Sequence, residues 1–146
     1  MKKLLLLCCL LPNLLTAQLV INEIAPNNRY YDDEDLTFPD WIEIMNIGAY
    51  NINVAQFSIT DNPDNINKWL LPDMVIYAGE KLIIYASEKN RDCYGCPGVI
   101  SNLHTNFKLS NGETLALYDD EDILIDSITI GPVYAGHVMA RIPDGG

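Results

Sequence analysis

The segment 40–46 alternates between two kinds of residue, as a β-strand with one buried face does. Ile42 and Ile44 share one face, whereas Trp41 and Glu43 share the other. This period of two is expected for a strand that packs one side against a core. The segment therefore predicts a strand.

The chain beyond residue 18 predicts a series of short strands. Segment 19–24 is strand-like, although its apolar residues follow neither parity consistently. No window has the three- and four-residue apolar spacing of an amphipathic helix. The predicted strands cover residues 19–25, 40–47, 53–60, 67–71, 80–86, 104–109, 113–118, 122–130 and 136–142. Many short strands with little helix predict an all-β fold built as a two-sheet sandwich.

Turn residues separate these strands and suggest how some of them pair. Asn111–Gly112 predicts a tight hairpin turn, residues 78–80 predict another turn, and residues 119–122 form a polar loop between two apolar strands. The pairs predicted from these turns are Phe107 and Leu109 with Leu115 and Leu117, followed by Ile123, Ile125 and Ile128 alongside.

Residues 1–17 have the features of a cleavable signal peptide. A positively charged start precedes an apolar run over residues 4–11, which is too short to span a bilayer comfortably. Ala17 is a small residue suited to signal peptidase, so we expect cleavage after it and a single mature domain over residues 18–146. The alternative is an N-terminal helix packed in the core. The prediction is a secreted or cell-surface protein with no transmembrane segment in its mature part.

The charge of the chain argues against nucleic acid as a partner. The formal net charge is −11, and removal of Lys2 and Lys3 with the signal peptide, which contains no acidic residue, takes it to −13. Such a surface repels phosphate backbones, and no cluster of basic residues offsets it locally. Direct binding of nucleic acid is therefore disfavoured.

Cys93 and Cys96 are the cysteines that remain after removal of the signal peptide. In an oxidising compartment a disulfide between them is expected. A redox-active pair would instead need the first thiol at the start of a helix, whereas Pro97 and Gly98 follow. A zinc site would need further ligands, and we expect His104 to be hydrogen bonded for structural reasons.

The acidic loop at Asp32, Asp33, Glu34 and Asp35 is the candidate cation site. Calcium prefers several carboxylate and carbonyl oxygens from a flexible segment. The spacing does not match a known calcium loop, so solvated loop charge is the alternative. Calcium is thus the one cofactor that the sequence suggests.

No arrangement of residues predicts catalysis. A nucleophile elbow and a glycine-rich phosphate loop are both missing from the sequence. Glu23 and Glu43 would lie side by side if their strands pair, but strand glutamates of a sandwich usually face solvent or accept hydrogen bonds. Trp41 and Trp69 invite carbohydrate stacking, although a buried tryptophan is the commoner case in a sandwich.

The order of the motifs resembles the lamin tail domain family, whose bacterial members occur on secreted proteins. The motifs that carry this resemblance are Val20–Ile24, Asp40–Asn46, Phe57–Asp61, Lys68–Pro72, Ile76–Leu82, His104–Ser110, Gly112–Leu115, Ile125–Ile128 and Arg141–Gly145. The resemblance implies an immunoglobulin-like sandwich of about nine strands. The loop 90–98 is an insertion relative to the family's pattern.

The resemblance also implies a function. It favours a non-catalytic extracellular interaction or accessory domain, a module of a larger protein. One alternative is the N-terminal accessory part of a secreted enzyme, kinase-like or nuclease, whose catalytic domain lies beyond Gly146. Another is an adhesion module stabilised by calcium. For the interaction role the candidate partner contacts are the aromatic residues Tyr30, Tyr31 and Tyr94.

Overall fold

The computed structural model describes residues 19–93 and 102–146, and in these residues all regular structure is β-strand. The strands are β1 (Leu19–Ala25), β2 (Asp40–Asn46), β3 (Ile52–Asn53), β4 (Ser58–Thr60), β5 (Trp69–Leu70), β6 (Val75–Ile76), β7 (Lys81–Ala86), β8 (Thr114–Tyr118), β9 (Leu124–Thr129) and β10 (Met139–Ala140). The all-β prediction is confirmed. The predicted signal peptide lies outside the described residues. Nowhere in the described ranges is there a helix long and apolar enough to cross a membrane.

Two four-stranded antiparallel sheets enclose the core. The first sheet has the order β10-β1-β2-β7, the second sheet has the order β5-β4-β8-β9, and β3 and β6 form a separate two-stranded ribbon. Side chains from both sheets belong to one buried cluster, for example Ile42 and Ile84 from the first and Ile59 and Leu117 from the second. The predicted two-sheet sandwich is therefore the observed architecture.

The alternation of side chains along β2 determines which side of the first sheet faces the core. Ile42 and Ile44 are fully buried between the sheets. The opposite side, called here the outer face, carries Trp41 opposite Tyr85 of β7 and Glu43 opposite Ile83 of the same strand. This pattern follows from the two-residue period of a strand, since directly paired residues share a face.

A β-bulge explains why β1 follows neither parity. Ile21 pairs with Ile44 of β2, but the next pair joins Glu23 to Glu43, so Asn22 is the extra residue. The bulge shifts the buried positions from odd to even numbers, and Ile24 is buried after Ile21. The mixed pattern in the sequence is thus the mark of a bulge.

The predicted strand over 104–109 is wrong. His104 makes only isolated bridges, with Tyr85 and with Arg91. Beyond it, the hydroxyl of Thr105 donates to the carbonyl of Phe107 at 2.8 Å, so local hydrogen bonding replaces a regular ladder. Phe107 and Leu109 are still buried in the core, which accounts for their strand-like spacing.

The hairpin predicted at Asn111–Gly112 is wrong in its partner. Strand β8 pairs with β4 and β9, so Leu115 lies opposite Ile128 and Leu117 opposite Ile59 and Asp126. The β8–β9 hairpin, with its polar tip at residues 119–122, is confirmed. The turn at Gly79, which has a φ of +78°, is also confirmed.

Two further predicted strands differ in extent from the observed ones, and one observed strand has no predicted counterpart. The segment 53–60 divides into β3 and β4, the segment 136–142 reduces to β10, and the ribbon strand β6 was not predicted. Each of these pieces is two or three residues long, and such short strands leave little periodic signal.

Candidate functional site

The register of β1 and β2 places two carboxylates side by side on the outer face. Glu23 lies directly opposite Glu43, as the sequence suggested for paired strands. Glu43 accepts a hydrogen bond from Asn22 Nδ2 at 2.7 Å and lies 3.1 Å from Lys81 Nζ. Lys81 is shared with Asp144, at 2.7 Å. One ammonium therefore serves two carboxylates in this cluster.

Glu23 differs from Glu43 because its carboxylate has no hydrogen bond or ion pair with the described residues. Burial raises the pKa of Glu23, and the neighbouring charge of Glu43 raises it further. A second negative group held next to Glu23 in a partly desolvated place disfavours the ionised form of Glu23. The outer face thus holds a carboxylate without an ion pair of its own among the described residues, and the nearby charge of Lys81 lowers its pKa only in part.

A groove of about 580 Å³ contains these two carboxylates. This outer-face groove is lined by Glu23, Tyr30, Tyr31, Trp41, Glu43, Ile83, Tyr85, Gly136 and Val138. Its volume lies within the range of small-ligand pockets, roughly 300–1,000 Å³. The groove combines aromatic walls with carboxylates, a composition suited to cations and to polar ligands with one flat or apolar side.

Two of the predicted contact residues lie in this groove. Tyr30 is 73% exposed and Tyr31 is 65% exposed. Their position is set by Asn28, whose side-chain oxygen accepts hydrogen bonds from the backbone N–H groups of both tyrosines at 3.1 Å. The amide of Asn28 also donates to the carbonyl of Pro39 at 2.9 Å. A buried asparagine therefore holds the loop that presents the tyrosines.

Trp41 lies at the base of this aromatic group. Its side chain is buried, and the ring of Tyr31 packs edge-on against it with the centroids 6.2 Å apart. Unlike Trp69, Trp41 is not part of the cluster between the sheets. The expectation of a buried sandwich-core tryptophan is confirmed for Trp69, whereas Trp41 is buried on the outer face.

Gly136 also lines the groove. Its φ is +76°, and an added Cβ would clash with Cε2 of the Tyr30 ring. The backbone N–H of Gly136 donates to the carbonyl of Asn27 at 2.8 Å. The positive φ and the nearby Tyr30 ring therefore both favour glycine here.

We expect Gly136→Ala to displace the Tyr30 ring. Gly79→Ala is a matched control, since Gly79 has a φ of +78° but open space around it. Each variant should lose about 1 kcal/mol of stability because alanine disfavours positive φ. NMR should show altered ring resonances of Tyr30 in Gly136→Ala alone. Unchanged Tyr30 resonances in that variant would contradict the predicted steric contact.

The acidic loop forms a second cluster, which is bonded to cations of the chain itself. Asp33 is buried, and its carboxylate accepts hydrogen bonds from the backbone N–H groups of Asp35 and Thr37, each at 3.0 Å. The same carboxylate forms an ion pair with Lys89. Burial opposes ionisation, but the hydrogen bonds from Lys89 and Thr37 outweigh it and lower the pKa of Asp33 to about 2.

Glu34 lies at the centre of the same cluster. Its carboxylate lies 2.8 Å from Arg91 Nη1, 2.9 Å from Asn102 Nδ2 and 3.1 Å from His104 Nε2. Burial alone would raise the pKa of Glu34, but the hydrogen bonds it accepts from the backbone, His104, Arg91 and Asn102 lower it to about 2. Asp35 contacts both Lys89 and Arg91.

His104 is hydrogen bonded, as the sequence predicted. The ring is fully buried, Nδ1 lies 2.8 Å from Ser87 Oγ, and Tyr85 stacks on it at 5.2 Å. Asp33, Glu34 and His104 present ligand atoms within 4.8 Å of one another.

Calcium at the acidic loop stays a prediction. Lys89 and Arg91 already pair with the carboxylates of Asp33, Glu34 and Asp35, so a divalent ion would have to displace them. Asp32, the fourth candidate, is exposed, and its backbone carbonyl accepts a hydrogen bond from Tyr85 Oη at 3.0 Å. The cluster fits a loop fastened to the sheet better than an open cation site.

The cysteine loop is only partly described. Cys93 is disulfide-bonded, while Cys96 and the predicted contact residue Tyr94 lie outside the described residues. The pairing of Cys93 with Cys96 and a contact role for Tyr94 stay predictions.

The C-terminal segment fastens the edges of the two sheets together. Arg141 pairs with both oxygens of Asp126, at 2.9 and 2.8 Å, and its Nε donates to the carbonyl of Ile21 at 3.0 Å. Asn22, the bulge residue, accepts from the backbone of Gly145 at 2.8 Å. The segment Arg141–Gly145 therefore forms hydrogen bonds and ion pairs that stabilise the fold.

Several residues of these clusters were not predicted from the sequence. Ile83 and Tyr85 alternate with the buried residues of β7, so their place on the outer face beside Trp41 could have been read from the period of two. Lys89 and Arg91 carried no such signal, because they meet the acidic loop through tertiary packing across more than fifty residues of chain.

A family model described as Lamin Tail Domain matches residues 15–132. The chain belongs to the lamin tail domain family. Lamin tail domains are immunoglobulin-like and non-catalytic, which agrees with the two-sheet sandwich. No curated protein matches the sequence. The residues matched to the lamin tail domain include β1 with its bulge and β2, which carry Glu23, Trp41 and Glu43.

Proposed function

We propose that residues 18–146 act as a non-catalytic interaction domain, exported from a bacterial cell as a module of a larger secreted or cell-surface protein. Membership of the lamin tail domain family supports an immunoglobulin-like interaction role. The observation that carries the proposal is the outer-face groove, in which a loop held in place by Asn28 presents the side chains of Tyr30 and Tyr31 to solvent.

The paired glutamates support a binding role more than a catalytic one. Glu43 accepts a hydrogen bond from Asn22 and pairs with Lys81, so its charge is partly neutralised and its orientation is fixed by neighbours in the fold. A carboxylate neutralised in this way is a weak general base or nucleophile. The aromatic wall, in contrast, offers contact area with little conformational entropy to lose.

The experiment uses the full chain of 146 residues expressed in a bacterial host. We expect a product that begins at Gln18 outside the cytoplasm, identified by intact mass. A hydrolytic screen of that product should give no saturable turnover that Glu43→Gln abolishes. Retention of the uncleaved chain in the cytoplasm would overturn the export part of the proposal, and such turnover would overturn the non-catalytic part.

A further inference from the structure

The outer-face groove carries negative charge that the protein does not neutralise. Glu23, Glu43 and Asp144 gather around a single ammonium, that of Lys81, and Glu23 has no polar contact with the described residues. The net charge of the whole chain is −11, so the long-range field has the same sign. A cation entering the groove would meet a complementary charge at every stage of approach.

The aromatic residues of the groove favour an organic cation over a bare metal ion. Trp41, Tyr31 and Tyr85 all line the groove with Glu23. The faces of such rings attract ammonium and guanidinium groups, and tryptophan does so most strongly. A metal ion would use the carboxylates but leave the aromatic surface without a partner.

The indole of Trp41 indicates a second property of the ligand, a hydrogen-bond acceptor. Trp41 lines the groove and is 7% exposed, and among the described residues its Nε1–H is a buried side-chain donor with no hydrogen-bond partner. A buried donor left unpaired is unfavourable. A ligand that places a carbonyl oxygen near a positive group would supply both an acceptor for Trp41 and a counter-charge for Glu23.

We propose that the outer-face groove binds a basic side chain, arginine or lysine, of a partner polypeptide, with a backbone carbonyl of that partner accepting from Trp41. This inference rests on the proposed interaction function and names the chemistry of the partner. The carboxylate of Glu23 pairs with the cation, the rings of Trp41 and Tyr31 contact its flat or methylene surface, and the groove volume of about 580 Å³ holds one or two residues.

The test compares two synthetic peptides that differ in one charge. The probe is a five-residue blocked peptide with a central arginine, and its twin carries citrulline, which has nearly the same shape but no charge. The readout is the pair of indole N–H signals in ¹⁵N–¹H correlation spectra of the mature domain. Trp69, buried between the sheets, is the internal reference. We expect the arginine peptide alone to shift the Trp41 signal.

Two charge variants assign the binding to Glu23. Glu23→Gln should weaken binding of the arginine peptide about tenfold, whereas Glu121→Gln, an exposed change of the same charge at the β8–β9 turn, should leave it unchanged. Glu23→Gln removes repulsion from Glu43, so the melting temperature should not fall, and the loss of binding cannot be ascribed to misfolding.

Three results would overturn the inference: equal shifts with the citrulline twin, no Trp41 shift with the arginine peptide, or equal weakening by both charge variants. Binding of the neutral twin or of a neutral oligosaccharide in the groove would overturn the basic partner while the interaction function stands. Turnover lost in Glu43→Gln would instead overturn the proposed function itself.

Discussion

Replacement of Asn46 by alanine is expected to lower the free energy of unfolding by about 3 kcal/mol. Asn46 is fully buried at the end of β2. Its amide nitrogen donates to the carbonyls of Tyr50 and Ile76 at 2.8 and 3.0 Å, and its oxygen accepts from the backbone N–H of Gly48 at 2.9 Å. Alanine would leave all three groups without this partner.

Asn53→Ala is the matched control. Asn53 also makes two side-chain hydrogen bonds, with Asp73 at 3.1 Å and Ala55 at 2.8 Å, but both are exposed, so water replaces them at little cost. We expect a loss under about 1 kcal/mol for this variant. Urea unfolding followed by tryptophan fluorescence measures both. Equal losses in the two variants would show that burial of the Asn46 amide is not what matters.

Asn46→Asp tests the donor role separately. The carboxylate keeps the shape of the side chain but cannot donate to the carbonyls of Tyr50 and Ile76 when ionised. Its pKa in the folded state should therefore rise above the unfolded value of about 4. The variant should be closest to the wild type below that pH and should lose stability relative to it as the pH rises. A pH-independent difference from the wild type would argue against this account.

The strands of the first sheet could be read from the sequence because one face of each packs against the core. The alternation around Ile42 and Ile44 predicted β2 and placed Trp41 opposite them, and the broken parity of β1 proved to be the bulge at Asn22. The placement of Glu23 beside Glu43 then followed from the antiparallel pairing of β1 with β2. Physical constraints that act within a strand leave a local pattern, so they can be predicted.

The parts of the fold that the sequence did not predict depend on contacts that leave no local pattern. Phe107 and Leu109 have strand-like spacing, yet they enter the core from a loop in which Thr105 bonds to the backbone of Phe107. A buried apolar residue has the same signature in a loop and in a strand when the segment is short. The alternation alone could not decide between them.

The acidic loop illustrates the same limit for a candidate site. Four consecutive acidic residues suggested calcium, but Lys89 and Arg91 meet them across the fold. Neither cation stands out in the sequence as a partner, since it lies more than fifty residues away. The sequence could locate the charge, but only the tertiary structure identifies its counter-ions.

Acidification is expected to remove on the order of 4 kcal/mol of stability between pH 5 and pH 2 through this cluster. The pKa values of Asp33 and Glu34 fall from 3.8 and 4.5 to about 2 in the folded state. Lowered values mean that the folded state favours the ionised carboxylates. Their contribution is therefore complete above the unfolded pKa values and is lost as the pH falls through the folded ones.

Glu34→Gln assigns the acid effect to this loop. The glutamine oxygen can still accept from Arg91 and Asn102, whose nitrogen atoms lie 2.8 and 2.9 Å from the Glu34 carboxylate, so the variant should fold, but it has no proton to take up. Its stability loss between pH 5 and pH 2 should be smaller than that of the wild type by roughly 2 kcal/mol. Glu121→Gln, on the exposed β8–β9 turn, should follow the wild-type curve.

Urea unfolding at a series of pH values between 5 and 2 provides the measurement. If Glu34→Gln and Glu121→Gln gave superimposable pH profiles, the Glu34 carboxylate would not be the group that takes up protons on unfolding, and its ion pair with Arg91 would be of no consequence for stability. A reduced slope in Glu34→Gln alone would establish that the acidic loop is held to the sheet by charge. The loop that carries Asp33 and Glu34 also contains Tyr30 and Tyr31 at its start, so the same carboxylates would then help to support the outer-face groove.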